Sequence, residues 1–227
     1  MRTILSKLIS RIKGEAYVID PRLTFTMVLI SIYPRFCMLI RASLKMPIRS
    51  FRARLFLGKS AKIRLITNLT NLGSFTLNDH SYVDCMSSER NEIGRNFSFG
   101  DHSKIICTSV LSDLGVGFDI GDNVGINAFC YLGAQGGLLI GENTIIGPYT
   151  KIFTENHNHR GSHELIRMNA SLRAAVKIGK NCWLGSGVTV LPGALVGDNC
   201  VIAAGAIVRG EVPPGTLYIN KNKIYQL

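Results

Sequence analysis

"IGKNCWLGSGVTVLPGALVGDNCVIAAGAIV", Ile178 to Val208, puts an apolar residue at every sixth position: Ile178, Leu184, Val190, Val196, Ile202 and Val208. The same register holds upstream at Ile140, Ile146 and Ile152, at Ile120, Ile126 and Leu132, and at Ile93, Phe99 and Ile105. Glycine often follows directly, as in "IGENTI", "IGPYTK" and "VGDNCV". Four residues after each apolar site stands a mostly small one, such as Thr144, Thr150, Cys182, Ala194, Cys200 or Ala206. A period of six fits neither a helix nor a simple alternating strand. It fits a triangular coil in which each unit is one short strand and one tight turn. The large residue points inward, the small one fills the corner, and glycine serves turns with unusual backbone angles. Stacked coils then pair as parallel strands ~4.8 Å apart.

Outside the repeat, the charge is unevenly placed. The 227 residues carry a net +11, yet residues 1–64 hold fourteen Lys and Arg against two acids, Glu15 and Asp20. Residues 65–227 hold twelve against thirteen. The chain thus reads as a basic N-terminal arm, residues 1–56, before a near-neutral coil, residues 57–214, and a tail, residues 215–227. The arm contains "FTMVLISIYPRFCMLI", Phe25 to Ile40. At sixteen residues it is short of the ~20 that span a bilayer, and Pro34-Arg35 is expected to break it. No small-residue cleavage site follows, which disfavours a signal peptide. Beyond Pro34, a helix would gather Phe36, Leu39, Ile40 and Leu44 on one face, with Arg35, Arg41 and Lys45 largely off it. Such a face can lie on an anionic membrane or cap the coil, and the two readings are compatible. The arm shows no recognisable nucleic-acid fold, so no nucleic-acid partner is expected.

The register runs to Ile152 and resumes at Ile178, so about twenty residues, 158–177, are expected to leave the coil as a loop. "FTENHNHRGSH", Phe153 to His163, opens it and holds three of the five histidines. His157 would stand at the rigid base, with His159 and His163 in the loop proper. The loop's Leu165, Ile166, Met168 and Leu172 are expected to pack.

These repeats resemble those of the hexapeptide-repeat acyltransferases, and the histidine stretch is similar to that of the maltose/galactoside O-acetyltransferases. The resemblance runs from about Leu57 to Pro214 and is most specific from Gly117. It implies an all-β fold, a left-handed parallel β-helix, and an acyl site in a cleft between neighbouring chains of a homotrimer. It also implies an acetyl-CoA-dependent transfer to a sugar hydroxyl, in capsule, exopolysaccharide or O-antigen assembly. The family's essential histidine lies seventeen residues after the isoleucine of an "IG" unit, and Ile140 leads in this way to His157. Its asparagine thirteen residues before that isoleucine is Asn127; its aspartate five before is here Gln135, which puts the acceptor in doubt. On the donor side "NCWLGSG" supplies Trp183 and Ser186, "IAAGAIV" supplies Ala204, and Arg209 falls near the nucleotide end. After "VPPGT" the family's usual run is replaced by "LYINKNKIYQL", where Lys221 and Lys223 could meet phosphates.

In that chemistry, imidazole takes the proton of the attacking hydroxyl. Glu155 could orient the ring, and the backbone N–H at Ser186 could hold the oxyanion. Cys130, Cys182 and Cys200 fall at inward corners, which suits reduced core thiols and a cytoplasmic protein, peripheral on the inner membrane if the arm binds lipid. Other readings stay open: an N-acyltransferase on a nucleotide-linked amino sugar, a serine O-acetyltransferase, a catalytically dead scaffold, and a γ-carbonic-anhydrase-like metalloprotein. The last needs a histidine one coil below His157, where Leu139 stands, so no metal is expected.

Overall fold

The computed structural model describes residues 2–13, 16–46, 54–71, 73–161, 165–220 and 223–226. His163, Lys221 and residues 49–53 of the basic cluster lie outside the described residues. From Leu55 onward the chain winds through seven coils, each contributing one short strand to each of three parallel sheets. The first face opens with Leu55–Leu57, the second with Lys62–Arg64 and the third with Leu69–Asn71. The apolar repeat sets the register. On the first face Phe99 pairs with Ile126, then Ile146, Leu184, Ile202 and Tyr218. On the second, Ile105 leads to Leu132, Ile152, Val190 and Val208; on the third, Ile93 leads to Ile120, Ile140, Ile178, Val196 and Val212. Every one of these residues is buried. A side chain of this size contributes about 1.5–3 kcal/mol when withdrawn from water, so the three ladders are the principal source of stability.

The corners explain the small residues. Cys130, Cys182 and Cys200 are buried, and their thiols point at carbonyls of the next coil, as Cys182 Sγ does to Gly197 O at 3.2 Å. The third edge, between the third face and the next coil's first, carries asparagines in left-handed conformation. Their amides bond coil to coil, Asn96 to Asn123 at 3.0 Å and Asn181 to Asn199 at 2.8 Å. Asparagine tolerates that conformation better than most residues and supplies a donor and an acceptor at once.

The second edge, between the second and third faces, is the irregular one. Residues 107–117 leave the coil there, and so do residues 153–175. The latter excursion starts earlier and ends earlier than its sequence suggests. Glu155–His157 already stands outside the coil, paired antiparallel with Ser171–Arg173, and Val176–Ile178 is the fifth coil's third strand. Leu165, Ile166, Met168 and Leu172 do not pack on their own coil; each is more than half exposed. The tail is not separate either: Thr216–Asn220 adds to the first face and turns back into Lys223–Gln226.

Among the described residues two helices precede the coil, α1 (Arg2–Lys13) and α2 (Phe25–Lys45). Thr24 caps α2, its side chain accepting the Met27 N–H. Pro34 does not break this helix, which runs 21 residues and is long and apolar enough to cross a membrane by length and composition. The carbonyl that Pro34 leaves unserved belongs to Ile30, which is 67% exposed, and proline's fixed φ already suits a helix. The docked face also differs from the expected one. Ala42 is buried in the core at the first coil and Met38 is buried too, while Phe36, Ile40 and Leu44 are exposed. Arg41 donates to the Leu57 carbonyl and Arg35 reaches Thr76 Oγ1 at 3.4 Å, fixing α2 across the end of the coil.

Candidate functional site

The turn geometry sorts the expected site residues onto two different edges. At the second edge, His157 projects from the paired strand Glu155–His157, exposed, with Ser171 opposite. The root of this hairpin is fixed by main chain and one arginine. Ala174 N donates to Thr154 O at 2.9 Å, and Gly136 N donates to Thr154 Oγ1 at 2.9 Å. Arg173 donates to the carbonyls of Leu114 and Asp113 and pairs with the Asp113 carboxylate at 2.9 Å. Glu155, directly across the hairpin from Arg173, lies 3.5 Å from its Nε. The carboxylate therefore faces the arginine clamp, and no hydrogen bond joins it to the imidazole among the described residues.

Below the hairpin in the fourth coil sits Gln135. It is buried, donates to Ser109 Oγ at 3.1 Å and leaves its own carbonyl oxygen unpaired. Its side-chain partner, Ser109, belongs to the other excursion, residues 107–117, so the side chain is held under the turn. Arg209, exposed at the seventh coil's second edge, closes a cleft of about 300 Å³ with Arg173, Asn156 and Pro192.

Asn127, Trp183, Ser186 and Ala204 belong instead to the first face and first edge. Trp183 stands on the outer first face between Ile145 and Val201, 56% exposed. Asn127 follows the fourth coil's first strand, its side chain donating to the Ile146 carbonyl at 3.1 Å. Ser186 sits over Pro148, the same turn position of the coil beneath, and Ala204 sits over Ser186. The Ser186 N–H has no hydrogen-bond partner among the described residues. Pro148 has none to offer at that position, so the turn tolerates a donor pointing away from the coil.

One chain therefore places His157 at its second edge and Asn127, Trp183, Ser186 and Ala204 at its first face and first edge, with the second face between them. The sequence pattern missed this division because it reads spacing along the chain and not the edge on which each turn falls. It also missed Arg173, whose clamp depends on Asp113, 60 residues away. Among the described residues no three His, Cys, Asp or Glu side chains gather as a metal group. His80 and His102 stack on each other at the first edge.

Comparison with known proteins follows the same coils. Residues 175–210 match the family described as bacterial transferase hexapeptide (six repeats). The chain is 34% identical over 105 residues to the Escherichia coli K12 protein named "Putative lipopolysaccharide biosynthesis O-acetyl transferase WbbJ", which covers 42% of this chain and 53% of that protein. It is 37% identical over 78 residues to the galactoside O-acetyltransferase of the same organism, covering 34% and 37%. The chain thus spans about half or less of the length of these relatives. Among solved structures, the Bacillus cereus N-acyltransferase AntD, in complex with dTDP and 3-hydroxybutyryl-CoA, superposes with a TM-score of 0.51. That match covers 81% of this chain and 86% of that one at 10% identity, a likeness of fold alone. By its ladders and its matched repeat, this chain carries the left-handed parallel β-helix of the hexapeptide-repeat acyltransferases.

Proposed function

We propose that the protein is an acetyl-CoA-dependent O-acetyltransferase that acts on a sugar hydroxyl in the assembly of a surface polysaccharide. The observation that carries this reading is His157, seventeen residues beyond Ile140, held on a clamped hairpin, its imidazole without a side-chain partner among the described residues. The relatives named for O-acetyl transfer to galactosides and in lipopolysaccharide biosynthesis support the same class of acceptor.

Acetyl-CoA supplies an already activated acyl group, so no covalent enzyme intermediate is needed. His157 accepts the hydroxyl proton as the sugar oxygen bonds to the thioester carbonyl carbon. The Ser186 N–H holds the resulting oxyanion. When the carbon–sulfur bond breaks, the imidazolium returns its proton to the departing thiolate. The exposed Trp183 and the small turn at Ala204 offer a surface for a thin donor chain, and Asn127 offers an amide to the acceptor. Because base and oxyanion donor lie on different edges, the working unit is a homotrimer whose sites form between chains.

The arm adds a place of work. α2 turns Ile30, Tyr33, Phe36, Ile40 and Leu44 outward while its opposite side caps the coil. With the basic excess of residues 1–64, this face suits peripheral binding to the anionic cytoplasmic surface of a membrane, near lipid-linked acceptors.

Acetyl transfer from acetyl-CoA to a panel of methyl pyranosides tests the catalytic reading. His157→Ala should lower transfer by at least a hundredfold while leaving the melting temperature and acetyl-CoA binding unchanged. His159→Ala should cost less than tenfold. Full transfer by His157→Ala would overturn the assignment.

A further inference from the structure

The first edge carries a feature that the proposed chemistry does not use. One residue per coil there adopts left-handed backbone conformation: Ser60, His80, His102, Phe129, Tyr149, Gly187 and Gly205, with φ between +55° and +71°. Glycine is the ordinary occupant of such a position, and a bulky aromatic residue is an outlier. Yet four successive coils hold rings. His80 to His102 is 4.8 Å between centroids, His102 to Phe129 is 5.1 Å and Phe129 to Tyr149 is 5.1 Å, all within 9° of parallel. Phe129 and Tyr149 are about half exposed, so burial does not account for them.

The stack stops at Tyr149. The next two rungs are Gly187 and Gly205, and a side chain built on either would meet nothing within 4 Å. The upper face of the Tyr149 ring is therefore open onto an empty rung. The neighbouring residue on that rung is Ser186, whose unpartnered N–H is the expected oxyanion donor. Asn127 lies two coils below that rung, on the coil of Phe129, and Ala204 one coil above it. A ligand ring lying on Tyr149 would thus sit between the acceptor's amide and the donor's path, beside the point where the two substrates must meet.

We propose that the open face of Tyr149 is the stacking platform for the acceptor's pyranose ring. Its apolar C–H face would continue the ladder as a fifth rung and leave its hydroxyls toward Ser186. This rests on the acetyltransferase reading for the identity of the ring, though the slot itself stands on the geometry. Strain is kept where it is useful: aromatic residues hold an unfavourable backbone conformation on the rungs that lead to the platform, and the rungs beyond it are left empty.

Saturation-transfer NMR on the full chain, with methyl β-galactopyranoside and methyl α-glucopyranoside as probes, reads binding without turnover. Saturation should reach the ring C–H protons in wild type and in Tyr149→Phe, and be lost in Tyr149→Ala. In transfer assays Tyr149→Ala should raise the acceptor KM at least tenfold, with the acetyl-CoA KM within twofold. Gly187→Asn, which tolerates the left-handed conformation and fills the rung, should do the same in an intact fold. Undiminished saturation in Tyr149→Ala, or a rise confined to the acetyl-CoA KM, would overturn the platform. If wild type transfers no acetyl group but shows Tyr149-dependent saturation, the acetyltransferase reading fails and the platform stands.

Discussion

Gln135 occupies the position where the resemblance implies an aspartate, and its surroundings favour an uncharged side chain. The side chain is buried, its amide bonds to Ser109, and its carbonyl oxygen faces no donor. An aspartate here would bury a charge without a partner, which costs far more than an unpaired amide oxygen. Removing both polar atoms should cost little, because Ser109 is exposed and can turn to water. Gln135→Met is therefore expected to change stability by less than about 1 kcal/mol and the acceptor KM by less than twofold. A tenfold rise in that KM at unchanged melting temperature would restore Gln135 as an acceptor contact. The thiols follow the same logic of burial. Withdrawal from water pushes the Cys182 thiol up to about 11 and also raises Cys130 and Cys107. At pH 8 these groups remain protonated and inert, so iodoacetamide should mark the half-buried Cys37 of α2 first. Early labelling at Cys182, located by peptide mass, would show that the coil opens in its native state.

Among the elements, the coil strands were legible and the elements outside the coil were less so. Fifteen apolar positions announce the ladders because the rule that places them is local: one strand, one turn, one small corner. The pairing of Glu155–His157 with Ser171–Arg173 was not legible, because Arg173 is held by the excursion at Asp113 and Leu114. The count from Ile140 to His157 is different, since it crosses the fifth coil's first two strands with their turns and does not involve the excursion at Asp113. α2 departs from expectation in two ways for one reason: Pro34 does not break it, and the face of Phe36, Ile40 and Leu44 does not cap the coil. Pro34 and the face of largest hydrophobic residues are local signals, but the docking face was chosen by the coil's end, which accepts the small Ala42. The two sides of α2 should accordingly separate in experiment. Met38→Ala should lower stability by about 2 kcal/mol or more. Replacing Ile30, Tyr33, Phe36 and Leu44 together by Gln should leave melting unchanged and abolish binding to vesicles of phosphatidylglycerol and phosphatidylcholine. Binding by the parent chain should also fall steeply between 50 and 500 mM salt, as the screening length shrinks from about 14 Å to about 4 Å. Equal binding to neutral and anionic vesicles would leave the charge of the arm without a part in it.

At the scale of the whole molecule, the division of the site between two edges makes a quantitative demand. The hairpin carries His157 on the second edge, together with four exposed apolar residues that its own coil does not cover. The first edge carries Ser186 and Trp183, equally uncovered. In the proposed homotrimer, the hairpin of each chain would reach the first edge of the next and cover both surfaces at once. Two single variants can then complement each other. His157→Ala removes the base from the second edge. Ser186→Pro removes only the N–H from the first, in a turn whose counterpart one coil below is already Pro148. Each alone should lose at least a hundredfold in transfer, the usual cost of an oxyanion donor being of that order. Unfolded together and refolded as an equal mixture, they form sites whose two halves come independently from either variant. About one site in four then joins an intact His157 to an intact Ser186, so the mixture should recover about a quarter of parental activity. Mass measurement confirms that mixed trimers have formed. If confirmed mixed trimers remain inactive while the parent refolds to full activity, base and oxyanion donor act within one chain and the site between neighbours is wrong.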